Sequence, residues 1–198
     1  MCIRDRPEFI REEEFGAKRE LSGGRSLVHL DFYRLDIQNV RIAQADGTFA
    51  AAGNNRTLGA EAGISGMVTS KWQFTGGYSY IDGVLLNTGV ATTTGTAMPN
   101  TARHSVSVTS SYHLTRKLNA GGGIYGNSMV WGSQANNKWV PGFVREDLFG
   151  NYEFNRHFSL QGNLQNVGNK LYYQQAYATH YAVLAPARSA VFGLNVKY

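Results

Sequence analysis

HSVSVTSSYHL, residues 104–114, is the stretch from which the fold can be read. Val106, Val108, Ser110, Tyr112 and Leu114 fall on one face of an extended chain, and Ser105, Ser107, Thr109, Ser111 and His113 fall on the other. Successive side chains of a strand point to opposite faces, so a period of two sorts these residues into one mainly apolar row and one polar row. A helix gathers positions i, i+3 and i+4 and would mix the two sets. The polar row carries hydroxyls and an imidazole in place of Lys and Glu, unlike a strand on an open aqueous surface.

The same period extends in both directions. Upstream, RTLGAEAGISGMV (residues 56–68) sets Leu58, Ala60, Ala62, Ile64 and Val68 against Thr57, Glu61 and Ser65. WQFTGGYSY (residues 72–80) sets Trp72, Phe74, Tyr78 and Tyr80 against Gln73, Thr75 and Ser79. Downstream, Leu118, Ala120 and Ile124 alternate with Asn119, Gly121 and Tyr125, and Phe158, Leu160 and Leu164 with Ser159, Gln161 and Gln165. The last residues place Ala190, Phe192, Leu194, Val196 and Tyr198 on one face. About nine strands follow, starting near Glu13, Arg25, Arg56, Trp72, Arg103, Leu118, Pro141, His157 and Ser189. Short connections at 22–24, 69–71, 115–117 and 155–156 alternate with long ones at about 40–55, 83–102, 131–140 and 168–188. An up-and-down meander with all its tight hairpins at one end gives that alternation, as outer-membrane barrels do. A soluble sandwich needs Greek-key crossovers. Trp72, Tyr112, Tyr152, Phe154 and Phe158 lie beside the short turns, with Tyr80 and Trp131 near the other end, as two aromatic girdles of a lipid-embedded wall require.

Composition agrees. The chain has 198 residues, 23 of them Gly, with 12% aromatic and 17% charged residues. The first twenty residues hold 11 of the 33 charges, so the remainder is poorer still. Mean hydropathy is −0.30, and no run of apolar residues is long enough for a membrane helix. Cys2 is the only cysteine, which excludes a disulfide framework and a cysteine metal site. The net charge of +5 is scattered, with no basic cluster to hold nucleic acid. No apolar signal segment opens the chain, and residues 1–6 resemble translated adapter sequence and read as a non-native leader. An odd number of strands with two free edges cannot sit in lipid, where each unpaired backbone group costs several kcal/mol. Missing upstream strands would supply the closure.

Several segments then carry a family resemblance, in family order. PEFIREEEFGAKREL (7–21) resembles the P-E-x-x-x-x-x-E-x-G-x-K strand of TonB-dependent receptors. DFYRLDIQNVR (31–41), RTLGAEAGISG (56–66), GYSYIDG (77–83) and AMPNTARHSVSV (97–108) resemble the family's next strands. VPGFVREDLFGNYEF (140–154) is similar to its V-P-G-x-x-x-x-D strand, and LQNVGNKLYYQQ (164–175) to its N-L/V-x-D/N-K-x-Y-Y signature. APARS (185–189) resembles its proline-glycine-arginine box, with Ala187 where glycine is usual. The match is to the siderophore-receptor branch, and within it to catecholate-type members.

The resemblance implies an all-β fold: residues 7–198 as the C-terminal part of a 22-stranded transmembrane β-barrel, lacking the plug domain. It implies a multi-pass protein of the bacterial outer membrane that is not an enzyme and binds no cofactor directly. Iron would arrive wrapped in its chelator, as a ferric siderophore. Partners would be the TonB–ExbB–ExbD complex, through a region outside this chain, together with outer-membrane lipid and the β-barrel assembly machinery. Phe192, Leu194, Val196 and Tyr198 would form the terminal assembly signal. An anionic, aromatic ferric catecholate suits Arg, Tyr and Trp. Candidates on the long-loop side are Arg103, Tyr125, Trp131, Trp139, Arg145, Tyr177, His180 and Tyr181. Each has a plainer alternative as a girdle anchor or loop-packing residue. Glu61, Arg145 and Asp147 have a further alternative, facing the lumen and bonding a plug. His29, His104, His113, His157 and His180 are dispersed without metal-ligand spacing. Two other functions compete: a passive porin-like channel, which needs a charge ring at its constriction, and a soluble β-sandwich binding module, which needs a charged outer face.

Overall fold

A computed structural model describes residues 7–43, 48–177 and 180–197. The strands are β1 (Phe9–Leu21), β2 (Ser26–Ala43), β3 (Phe49–Met67), β4 (Trp72–Asn87), β5 (His104–His113), β6 (Leu118–Asn127), β7 (Val130–Trp131), β8 (Trp139–Val140), β9 (Phe143–Glu153), β10 (Phe158–Gln165), β11 (Tyr173–Tyr177), β12 (Tyr181–Leu184) and β13 (Ser189–Val196). Nine of them form one antiparallel sheet in the order β1-β2-β3-β4-β5-β6-β9-β10-β13. Each neighbour in the sheet is the next long strand in the chain, as the alternating connections require. The two remaining pairs, β7-β8 and β11-β12, are small hairpins inside what reads from sequence as loop. One turn of 3-10 helix at Ala91–Thr93 is the only helical element among the described residues.

Register fixes the faces. Directly paired residues share a face, and the pairs Ile64↔Gly76, Gly76↔Val108 and Val108↔Ile124 continue one row across four strands. Leu58, Phe74, Tyr112, Leu148, Leu160 and Leu194 belong to the same side. Glu61, Ser79, Ser107, Tyr125, Arg145 and Gln161 belong to the other. Ser110 looks misplaced in the apolar row, but its hydroxyl accepts the indole N–H of Trp72 at 2.8 Å. Large apolar side chains stay open on this side: Phe192 is 74% exposed and Leu194 64%. A sheet one layer thick, oily on one side and wet on the other, has no interior of its own. The buried apolar residues, Leu85, Val140, Tyr172, Ala176 and Ala185, all lie at the long-loop end.

Three short turns repeat one local device. Thr69 Oγ1 accepts the N–H groups of Lys71 and Trp72, at 3.2 and 3.1 Å. Thr115 Oγ1 does the same for Lys117 and Leu118, at 3.1 and 2.9 Å. Asn155 Oδ1 does it for His157 and Phe158, at 2.8 and 3.0 Å. A short polar side chain bonding the backbone two and three residues on closes a turn without a partner from elsewhere. The first turn differs: Ser22, Gly23 and Gly24 all take positive φ.

Three sequence expectations need correction. Residues 40–55 are not a long loop: β2 runs to Ala43 and β3 starts at Phe49, so the two strands project as a paired ribbon. The reading failed because a bulge at Val40 breaks the alternation, with Asn39 at φ 60. Gly53 permits the close pass there, since a Cβ on it would lie 2.9 Å from the Val40 carbonyl. Arg41 stacks over Phe49 at 3.9 Å further along the ribbon. Likewise β1 begins at Phe9 rather than near Glu13. Trp131, placed by sequence near the far girdle, sits off the sheet in β7. His104 occupies that end of the apolar face, 2.8 Å from the Tyr78 hydroxyl and 5.3 Å from the Tyr80 ring centre.

Candidate functional site

The eight candidate residues fall into two groups. The first lies on the polar wall. Tyr125 of β6 and Arg145 of β9 are cross-strand partners, and the guanidinium carbon stands 4.9 Å from the centre of the Tyr125 ring. Glycines make room for the rings on this wall. A Cβ on Gly123 would lie 2.8 Å from the Tyr125 hydroxyl, and one on Gly121 would lie 2.6 Å from the Phe149 ring. Arg145 Nη2 donates to Asp147 Oδ2 at 2.8 Å and Nη1 to the Tyr172 hydroxyl at 3.1 Å. Its Nε is buried without a partner among the described residues. A cavity of about 460 Å³ on this wall is lined by Tyr125, His29, Glu61 and Ser107, among others.

Asp147 links the cation to the loops. Its Oδ1 accepts the Asn166 N–H at 2.8 Å. Asn166 is 2% exposed, and its amide donates to the carbonyls of Lys170 and Pro186 at 2.9 and 3.2 Å. Its Oδ1 accepts the Lys170 N–H at 2.8 Å. Tyr172 stacks on Phe143 at 4.2 Å between ring centres. Glu61, Arg145 and Asp147 all face the polar side, and for Arg145 and Asp147 the observed bonds run to each other and to the loop that follows β10.

The second group lies at the long-loop end, in the small hairpins except for Arg103. Trp131 pairs with Trp139 across β7-β8, and Trp139 is 58% exposed. Tyr177 pairs with Tyr181 across β11-β12, at 66% and 72% exposure. The His180 ring centre is 6.4 Å from that of Tyr181. Arg103 stands just before β5 and is ion-paired to Asp82 at 2.8 Å. Arg103 and Trp131 share a crevice of about 310 Å³ with Met98 and Met129.

What joins the hairpins was not evident from sequence. Asn100 donates its backbone N–H to the Trp131 carbonyl at 2.8 Å. Its side chain exchanges two bonds with Ala176 of β11, at 2.8 and 2.9 Å. Asn136, between β7 and β8, does the same for Ala97, at 2.7 and 2.9 Å. Asn100, Asn136, Asn166 and Asn169 all take φ between 49 and 54. Asn is the non-glycine residue best able to adopt that conformation and still offer a donor and an acceptor. Asparagines spaced through the long connections were the available signal. The assembly-signal residues Phe192, Leu194 and Val196 line the apolar face of β13, while Tyr198 and residues 1–6 lie outside the described residues.

Residues 5–167 match the family model described as "TonB dependent receptor-like, beta-barrel". The chain is 33% identical over 202 residues to the probable TonB-dependent siderophore receptor PiuA of Acinetobacter baumannii, covering 97% of this chain and 27% of that protein. It is 29% identical over 167 residues to the catecholate siderophore receptor Fiu of Escherichia coli K12, covering 82% of this chain and 22% of Fiu. The crystal structure of PiuA superposes with a TM-score of 0.88 at 32% identity, over 96% of this chain and 28% of that one. The chain thus spans about a quarter of the length of these relatives. Family model, sequence and superposition agree with the meander and its two-faced wall: the chain belongs to the TonB-dependent receptor family and forms part of its β-barrel.

Proposed function

We propose that this chain is the C-terminal part, residues 7–198, of an outer-membrane receptor that takes up a ferric siderophore. The apolar face meets lipid and the polar face lines a lumen filled by a plug domain. Energy comes from the TonB–ExbB–ExbD complex, and the terminal strand is read by the β-barrel assembly machinery. The chain carries no catalysis and contacts no nucleic acid. The observation that carries the reading is the gathering of Trp131, Trp139, Tyr177 and Tyr181 onto clamped hairpins at one end, in a chain whose relatives are named as siderophore receptors. A ferric catecholate is anionic and aromatic, so exposed rings stack on it, and the Arg103 guanidinium and the His180 ring N–H donate hydrogen bonds to its oxygens. Tyr125 and Arg145 stand on the polar wall along its inward path.

Each stacking or cation–π contact contributes about 0.5–2 kcal/mol. The test uses the full-length receptor in an outer membrane. Trp131→Ala and Tyr181→Ala weaken ferric-catecholate binding several-fold with normal assembly, and the turn control Lys71→Ala leaves it unchanged. Equal affinity in all three variants moves recognition off these hairpins and onto the plug.

A further inference from the structure

The polar face of the sheet is divided by charge. On β1, β2 and β3 its rows hold Glu12, Glu14, Glu20, Asp31 and Glu61 against one strong cation, Lys18. Asp31 faces Glu61 directly across β2 and β3, and its carboxylate is bonded to His29 at 2.6 Å. None of these four glutamates is ion-paired among the described residues. From β4 to β13 the same face carries mainly hydroxyls, amides and glycines, Thr75, Thr109, Ser111, Asn119, Asn151 and Gln161 among them. Its acids and its arginine lie toward the two ends. Arg145 and Asp147 are paired to each other near the long loops, and Glu153 stands on the last rung, where its N–H donates to the Lys117 carbonyl.

Phe149 stands out in this quieter half. It shares a row with Ser111, Gly121 and Asn163, so a ring with no polar atom lies on the wet side of the sheet. The ring is half-buried against Gly121, where a Cβ would stand 2.6 Å from it. Arg145 occupies the same face of β9 four residues nearer the loops, about 13 Å away at the rise of a strand. Asp147 lies between them, but both of its oxygens are engaged, one by Arg145 and one by the Asn166 N–H. A cation and then an aromatic ring thus follow one another along a wall with no free carboxylate between them.

We infer that an anionic, aromatic ferric chelate passes along the β4–β13 half of the polar wall, from Arg145 onto the Phe149 ring, and not along the β1–β3 half. Unpaired carboxylates repel an anion, most strongly where water is excluded. Hydroxyl and amide groups donate hydrogen bonds to catecholate oxygens without that repulsion. The Phe149 ring supplies a stacking surface for the aromatic part of the chelate. The inference rests on the proposed reading of the polar face as a lumen wall and of the cargo as a ferric catecholate.

The experiment uses the full-length receptor in cells, with the radio-iron complex of dihydroxybenzoate as probe. Binding is measured in de-energised cells and uptake in energised ones, each normalised to receptor in isolated outer membranes. A native receptor that binds none of the probe overturns the cargo reading itself. Gln161→Glu and Asn151→Asp keep the side-chain shape and add a negative charge to the β4–β13 half. Binding should stay native while uptake slows about tenfold. Asn55→Asp adds the same charge to the polar row of β3 and should leave uptake native. Native uptake in the first two variants, or equal slowing in all three, overturns the route. Phe149→Leu keeps an apolar side chain and removes the ring, and should slow uptake about fivefold with binding intact. Phe149→Tyr should restore the native rate. Native uptake in Phe149→Leu, or equal loss in Leu and Tyr, shows that the ring only packs and overturns its place on the route. Should the charged variants fail to assemble, the two Phe149 variants decide the matter.

Discussion

The two ends of this sheet are closed by opposite strategies. At the short-turn end, Thr69, Thr115 and Asn155 each bond the backbone two and three residues ahead. At the long-loop end, Asn100 reaches a residue 76 positions away and Asn136 one 39 positions away. Asn166 and Asn169 span 20 and 19 positions to Pro186 and Arg188. Among the described residues, the buried apolar side chains follow the same division and lie at the loop end. A local turn needs no core because its bonds close within one hairpin. Long connections must build a small core and a set of clamps before they can hold a shape, since ordering each residue costs about 1–2 kcal/mol. Recognition is expected where that ordering occurs, because turns of a few residues leave no surface for a pocket.

Both ends adjoin one apolar row that crosses the sheet, and that row is the first thing to break. Val108→Lys puts a charge in the middle of the apolar row and should destabilise the full-length receptor by about 2–4 kcal/mol. Heat-dependent gel mobility after membrane insertion measures it, and native-like insertion would show that the faces are misassigned.

Asn166→Ala is next. It strands the Lys170 N–H and the Lys170 and Pro186 carbonyls in a buried site, and should cost about 3 kcal/mol. Limited proteolysis of the intact receptor should open the connection after β10 while the short turns stay resistant. Cleavage at both ends alike would abolish the distinction between them.

Asn100→Gly sharpens it. Gly keeps the left-handed backbone, so the substitution isolates the side-chain clamp. A loss of about 1–2 kcal/mol is expected, read as faster amide exchange in both β7-β8 and β11-β12. Faster exchange in one hairpin alone would show that the two are not coupled through this residue. The smallest effect belongs to Thr115→Ala, about 0.5–1 kcal/mol, with faster exchange confined to residues 115–118. Any response in the loop hairpins to this change would contradict the local character of the turn.

The sequence alone determined the order of the nine sheet strands, the face taken by most of their residues and the position of the tight turns. These properties are encoded within two to four residues: a period of two assigns faces, and a Thr or Asn ahead of a cation and an apolar residue closes a turn. Family segments in order also identified the barrel. Only the tertiary structure decided the rest. It showed the β2-β3 ribbon hidden by the bulge at Val40, and the hairpins within the loops. It joined Arg145 to Tyr172 and Asp147 to Asn166, and it drew Trp131 and Ala176 together through Asn100. The contacts of Arg145, Asp147 and Asn100 depend on bonds between residues 19 to 76 positions apart. No local pattern specifies such a partner, because the acceptor is a backbone carbonyl or a side chain brought near only when the strands between them have paired.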